Sequence, residues 1–140
     1  MSIVIRPELS KRNPYRIDKH RYYELKHFCL QYPVWKRIYS ELDGFRSSGT
    51  DVAPSKTNFP SDPTAQSVET RLYYLEKMET VEQAAIESDP DLATYILRAV
   101  TEELSYTYLK ARLDIPCSRD TYYDRYRRFF WLLSNRKNHI

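Results

Sequence analysis

The chain has 140 residues, of which 41% are hydrophobic and 29% are charged, and this balance is typical of one globular domain with its own buried core. No stretch approaches the roughly 20 apolar residues that a membrane span requires, and the N-terminus lacks a signal-peptide pattern, so we expect no membrane partner. The two cysteines, Cys29 and Cys117, have no paired spacing. Such cysteines are typical of small buried side chains in a reducing compartment, which predicts a cytoplasmic protein.

Charge is segregated along the chain. Residues 1–42 carry nine basic and four acidic side chains, and residues 104–140 carry eight basic and three acidic ones. Residues 61–103 instead carry three basic and ten acidic side chains. Two interpretations stay open: a basic end binds an anionic partner, or the basic ends face the acidic middle within the molecule.

The first part of the chain, residues 1–42, is predicted to form an N-terminal helical arm. From about His20 to Leu42 the apolar residues recur at intervals of three and four, which predicts one amphipathic helix. Pro33 is expected to kink or restart this helix. Residues 43–61 contain both glycines of the chain together with serines and prolines, which predicts a flexible loop.

Residues 62–140 are predicted to form a helical domain. Asp62-Pro63 begins a long acidic helix and Asp89-Pro90 begins a shorter one, because an aspartate before a proline is a helix-start signal. The expected inner face of the long helix consists of Val68, Leu72, Leu75, Met78, Val81 or Glu82, and Ala85. That of the shorter helix consists of Leu92, Tyr95, Ile96, Ala99 and Val100. No segment alternates with a period of two, so the predicted fold class is all-α.

Residues 105–136 have the pattern of a C-terminal helix-turn-helix. Ser105 is the expected N-cap of a short helix that ends near Asp114. Ile115-Pro116-Cys117 interrupts the helix, and Ser118 is the expected N-cap of the final one. Spacings of four, three and four predict that the final helix buries one face, formed by Tyr122, Tyr126, Phe129 and Leu133.

The other side of the final helix carries polar and basic side chains near its N-terminus, where a recognition helix contacts base edges in the major groove. The candidates for DNA contact on this side are Arg119, Asp120, Tyr123, Asp124 and Arg127. Further basic side chains that are candidates for phosphate contact are Lys110, Arg128, Arg136 and Lys137. The alternative interpretation is a structural or protein-binding helix with a solvated basic face above an aromatic core.

Residues 92–133 resemble the helix-turn-helix of region 4 of sigma factors, and more closely that of the small ArpU/RinA-type late-transcription regulators encoded by phages. The matching features are Ser105-Tyr106 and Ser118-Arg119 at the two helix starts, Leu109 and Leu113 on the inner face of the first helix, and Ile115 in the turn. The resemblance implies a transcription regulator that binds double-stranded DNA, with RNA polymerase as a further partner.

Two alternatives to a transcription regulator stay open. One is a small DNA-packaging subunit that uses a similar motif, and the other is a helical adaptor or assembly protein that binds another protein through the acidic middle helix. That long helix, with Val68, Leu72, Leu75 and Met78, is also the candidate element for a homodimer.

Catalytic and metal-binding patterns are weak. His20, Glu24 and His27 would share a helix face, but their spacing differs from that of zinc metalloproteases. The sequence has no glycine-rich phosphate loop and no recognisable local Ser/His/Asp motif. We therefore expect a protein that is not an enzyme and that has no metal and no cofactor.

Overall fold

The computed structural model describes residues 14–47 and 63–137, with side chains for residues 14–42 and 67–137. These ranges contain six helices and no strand, which confirms the all-α fold class for the part of the chain that is described. The helices are α1 (Lys19–Leu30), α2 (Tyr32–Ser47), α3 (Pro63–Ser88), α4 (Ala93–Glu102), α5 (Tyr106–Leu113) and α6 (Arg119–Lys137).

The chain divides into two compact units. The first unit contains α1, the end of α3 from Thr80 onward, and α4 to α6, whereas the second extends from Tyr32 to Glu79. This division differs from the predicted N-terminal arm of residues 1–42, because α1 packs against α4 and α6. The ring of Tyr22 on α1 lies 5.1 Å from that of Phe130 on α6, so α1 is part of the same core as the C-terminal helices.

The predicted restart at Pro33 is confirmed. Helix α1 ends at Leu30 and α2 begins at Tyr32, so the proline lies in a first turn, where its missing N–H costs no helical hydrogen bond. Helix α2 continues to Ser47, so residues 43–47, which were predicted to begin the loop, are helical. The rest of that loop lies outside the described residues.

Helix α3 begins at Pro63, as the Asp-Pro signal predicts, although Asp62 lies outside the described residues. Its predicted inner face is correct at Met78, Val81 and Ala85, which are buried, but wrong in its first half, where Val68 and Leu72 are 36% and 51% exposed.

The reason for this difference lies in the second unit, where α2 contacts another side of α3. The Arg71 guanidinium stands 5.1 Å from the centre of the Tyr39 ring. The Lys77 ammonium stands 5.6 Å from the centre of the Trp35 ring. Cation–π contacts therefore mark the packed side of α3, and the apolar stripe at residues 68 and 72 lies away from it.

The predicted start of the next helix is wrong by one turn. Asp89 does not cap α4, which begins at Ala93 and has no side-chain cap. Instead, Asp89 Oδ1 accepts a hydrogen bond from the backbone N–H of Asp91 at 2.9 Å, and Leu92 N–H donates to the Asp89 carbonyl at 3.1 Å. A turn thus separates α3 from α4, because the Asp89 side chain bonds its own loop, as aspartates in turns often do.

The core of the first unit is aromatic. The inner face predicted for the final helix is confirmed at Tyr122, Phe129 and Leu133, which are fully buried in α6. Phe130 is buried beside them, with its ring 4.9 Å from that of Phe129. The predicted stripe of α4 is likewise buried at Leu92, Ile96, Ala99 and Val100. These side chains hold the inner side of α6 and leave Arg119 and Asp120, at its beginning, exposed.

Candidate nucleic-acid interface

Helix α5 has a defined beginning and a defined end. The Ser105 hydroxyl oxygen accepts a hydrogen bond from the Tyr108 N–H at 3.1 Å, which confirms the predicted cap. At the other end Asp114 has φ 53° and ψ 49°, in the left-handed region that favours glycine. The N–H of Ile115 then donates to the Leu109 carbonyl at 3.1 Å and closes the helix. The chain reverses here without a glycine.

The connection between α5 and α6, residues 114–118, is fixed at both ends. The Ile115 side chain is buried and anchors it in the core. The Ser118 hydroxyl oxygen accepts from the Thr121 N–H at 3.2 Å, and the Ser118 carbonyl accepts from the Tyr122 N–H at 2.9 Å. The predicted N-cap of the final helix is therefore confirmed.

Tyr106 joins the starts of α5 and α6. Its hydroxyl donates a hydrogen bond to the Cys117 carbonyl at 2.6 Å. Its ring lies 5.6 Å from the Tyr122 ring, and the Arg119 guanidinium carbon stands 5.0 Å from the ring centre. The first turn of α6 is thus held against the first turn of α5.

Three of the side chains predicted to contact DNA lie on the accessible side of α6. Arg119 and Asp120 are exposed in its first turn. Arg127 is half-buried and makes no hydrogen bond or ion pair with the described part of the chain. Asp120 and Arg127 are seven residues apart and share a side of α6 away from its buried face, whereas Arg119 is exposed because it is the first residue of the helix.

The other two predicted residues on that side are engaged within the protein. The Tyr123 ring lies 5.2 Å from the Tyr122 ring and 6.4 Å from that of Tyr106, so it packs at the edge of the core. The Asp124 carboxylate accepts a hydrogen bond from Arg125. The same guanidinium donates through Nε to Asp89 Oδ2 at 2.9 Å, and these hydrogen bonds raise the pKa of Arg125.

The basic side chains predicted to contact phosphates fall into two groups. Lys110 is exposed near the α5–α6 connection, with Nζ 3.4 Å from the Ile115 carbonyl, to which it donates. Arg128 is half-buried, and its Nε has no hydrogen-bond partner among the described residues. By contrast, Arg136 forms an ion pair with Glu87 at 2.8 Å, and the Lys137 ammonium lies 3.8 Å from the centre of the Phe28 ring. The last two side chains therefore hold the end of α6 to the fold.

One exposed basic residue was missed by the sequence prediction. Arg112 lies in the last turn of α5, close in sequence to the exposed Lys110. A basic residue in the last turn of a helix interacts favourably with the helix dipole, and two of them directly before a predicted turn form a signal that could have identified it. With Arg119, these residues place three exposed cationic side chains around the connection.

Tyr15, before α1, and Arg21, in the first turn of α1, both contact the second half of α6. The Tyr15 ring lies 5.7 Å from the Trp131 ring. Arg21 donates from Nε to the Ser134 hydroxyl and from Nη2 to the Ser134 carbonyl, both at 3.0 Å. The most accessible part of α6 is therefore its N-terminal end, at the α5–α6 connection.

The side chains of α1 that were considered as metal ligands lie at the protein surface. His20 and His27 are exposed, and the Glu24 carboxylate forms an ion pair with Arg21 at 2.8 Å. No three His, Cys, Asp or Glu side chains among residues 14–42 and 67–137 come together as metal ligands. None of the helices in the described ranges is long and apolar enough to cross a membrane. Comparison with protein-family models, curated proteins and solved structures finds no match.

Proposed function

We propose that the chain is a transcription regulator that binds double-stranded DNA through a helix-turn-helix formed by α5, residues 114–118 and α6. The observation that carries this proposal is the exposure of Arg119 and Asp120 at the N-terminus of a helix that is held in the core by Tyr122, Phe129 and Phe130. A recognition helix needs accessible polar side chains at this end and a rigid support behind them.

Charge around the α5–α6 connection supports the proposal. Lys110, Arg112 and Arg119 are exposed there and have the chemistry to bind phosphates or guanine. Asp114 and Asp120 are exposed nearby and partly offset this positive charge. We therefore expect that affinity for arbitrary DNA is modest and that direct base contacts contribute strongly to binding of the preferred sequence.

The proposal is tested by selection of bound fragments from a random pool of DNA duplexes, followed by titration of the enriched duplex and a scrambled one. The expected result is one enriched sequence that binds at least about 1,000-fold more tightly than the scrambled duplex at the same salt concentration. Absence of any enriched sequence, or equal affinity for the enriched and the scrambled duplex, would exclude a sequence reader.

A matched pair of variants locates the contact surface. Arg119→Ala removes one cation from the start of α6, and Arg98→Ala removes one from α4, where Arg98 is exposed and paired with Glu102 at 3.1 Å. Arg119→Ala is expected to weaken binding of the enriched duplex by about 1–3 kcal/mol, whereas Arg98→Ala leaves it unchanged. Equal losses for both variants would show that the effect is one of net charge.

A second candidate function is a helical adaptor that binds a protein, and it is supported by one observation in the second unit. Val68, Leu72 and Tyr73 on α3 are exposed, although apolar stripes of helices are usually covered. Val68 and Leu72 also belong to the candidate homodimer contact, whereas Met78, another member of that stripe, is buried. Sedimentation tests the dimer: concentration-dependent association that Leu72→Lys abolishes supports it, and a concentration-independent monomer mass excludes it.

A further inference from the structure

We infer that Tyr106 is a positioning residue, which orients the Arg119 guanidinium so that it reads one guanine in duplex DNA. This inference rests on the proposed function, since it names the base and the supporting side chain of the same surface. Tyr106 itself does not contact the DNA, because it is 7% exposed.

The Tyr106 ring is held in place from two directions. Its hydroxyl donates to the Cys117 carbonyl at 2.6 Å, and its ring packs 5.6 Å from that of Tyr122, which is fully buried. A side chain with a hydrogen-bonded end and a packed face has little rotamer freedom left. The ring therefore offers a fixed aromatic surface at the start of α6.

Arg119 lies against that aromatic surface. It is the first residue of α6, it is exposed, and its guanidinium carbon stands 5.0 Å from the centre of the Tyr106 ring. Arginine stacks on aromatic rings and still has N–H groups free to donate from its edge.

Orientation matters for this particular contact. A guanine presents O6 and N7 as two neighbouring acceptors in the major groove, and a guanidinium reads both with two parallel N–H groups. An arginine that is already oriented loses less conformational freedom on binding than one that moves freely in solvent. Stacking on Tyr106 therefore favours the bidentate contact over a loose charge contact.

The first experiment measures the orientation without DNA, by nuclear magnetic resonance of the full chain. A side chain stacked on an aromatic ring is shifted upfield, so the δ protons of Arg119 are expected upfield of those of Arg112, which is exposed at the end of α5. Tyr106→Phe keeps the ring and is expected to keep the shift, and Tyr106→Leu is expected to remove it. Equal shifts for the two arginines in the parent protein would overturn the positioning role.

The second experiment measures base discrimination, as the ratio of affinities for the enriched duplex and for duplexes substituted at each base pair. Arg119→Ala is expected to lower discrimination at one guanine by about 5- to 150-fold. Tyr106→Leu is expected to lower it at the same base pair by about 2- to 5-fold, which corresponds to the loss of an exposed cation–π contact. Tyr106→Phe is expected to keep it.

Three further outcomes, each in a different variant, also overturn the inference. The first is a loss of base discrimination in Tyr106→Leu that is equal at all base pairs, or that falls at a base pair other than the one affected by Arg119→Ala. Another is a loss that adds fully to that of Arg119→Ala in the double variant, since a positioning residue acts only through its partner. The third uses Arg119→Lys, which leaves the core intact: full discrimination in this variant would show that a planar, stacked guanidinium is not required.

The two experiments also separate the inference from the proposed function. If the parent protein binds no duplex in the titration, the DNA-binding function fails, and the guanine-reading role of Arg119 fails with it. If the parent binds the enriched duplex specifically but Arg119→Ala has no effect at any base pair, the function stands and the inference fails.

Discussion

The phenolic oxygens of Tyr22 on α1 and Tyr126 on α6 lie 2.7 Å apart and share one hydrogen bond. Burial is the main reason that the pKa of Tyr126 is raised well above its ordinary value, and the neighbouring Tyr22 raises it further. Burial also raises the pKa of Tyr122. The core that supports α6 therefore contains tyrosines that the folded protein keeps protonated.

These tyrosines predict loss of stability in alkali. Because their folded pKa lies above the unfolded value of about 10, their contribution is complete below about pH 10 and decreases as the pH rises further. Each such group therefore makes the free energy of unfolding fall as the pH rises through that range. Thermal unfolding between about pH 8 and about pH 12 is expected to show a falling Tm above about pH 10.

The matched variants for this experiment are Tyr126→Phe and Tyr108→Phe. The first removes one buried ionisable group, so Tm should fall less steeply with pH. The second changes an exposed tyrosine of α5, so the dependence of Tm on pH should be the same as in the parent protein. A Tm that stays level up to about pH 12 would contradict the burial of these hydroxyls.

Phe129 should contribute strongly to stability, because it is fully buried in the core of the first unit. Phe129→Ala is expected to lower the free energy of unfolding by about 3–5 kcal/mol, the usual effect of emptying a large aromatic site. Asn135→Ala, an exposed position on the same helix, should change it by less than about 0.5 kcal/mol. Urea unfolding of the two variants measures the difference, and similar values for both would place Phe129 outside the core.

Asp114 has a left-handed backbone conformation, with φ 53°, that costs a non-glycine residue roughly 1–3 kcal/mol. Asp114→Gly should therefore stabilise the protein by about 1 kcal/mol after the entropic cost of glycine is subtracted. Ala111→Gly, within α5, should destabilise it by about 1 kcal/mol. Chemical unfolding of both variants compares the two changes in the free energy of unfolding. If residue 114 is not left-handed, Asp114→Gly will not stabilise the protein.

The two cysteines should differ in reactivity. The Cys29 side chain is fully buried and burial raises its pKa, whereas Cys117 is half-buried and its pKa is raised by partial burial and by the nearby Asp89. The thiolate is the reactive form, so both should react more slowly than a free thiol, and Cys29 the more slowly. Alkylation followed by mass spectrometry should modify Cys117 first and Cys29 only on unfolding. Equal rates in the folded protein would contradict the burial of Cys29.

The sequence was sufficient where the structure depends on local interactions. Ser105 and Ser118 bond backbone N–H groups three residues away, and Pro33 interrupts its own helix, so their effects are visible in the sequence itself. The spacing of apolar residues in α6 likewise identified its buried side.

Predictions were less accurate where a distant partner decides the outcome. The apolar stripe of α3 at Val68 and Leu72 could not show that α2 would pack on another side. Nor could the sequence show that Arg136 forms an ion pair with Glu87, which lies in a helix far away in sequence. The ring of Tyr123 packs against that of Tyr122, a contact that the spacing of residues does not reveal. Periodicity gives the phase of a helix and not the identity of its neighbours.

The most direct test of DNA binding by α6 is the salt dependence of affinity for the enriched duplex, compared between the parent protein, Arg127→Ala and Arg98→Ala. Arg127 has no hydrogen-bond or ion-pair partner among the described residues, so its removal should leave Tm nearly unchanged. If Arg127 neutralises a phosphate, Arg127→Ala should weaken binding and reduce the slope of log affinity against log salt by about one unit. Arg98→Ala should keep the parent's slope. An Arg127→Ala protein that melts normally and binds with the parent's affinity and salt slope would contradict the placement of this side of α6 against DNA.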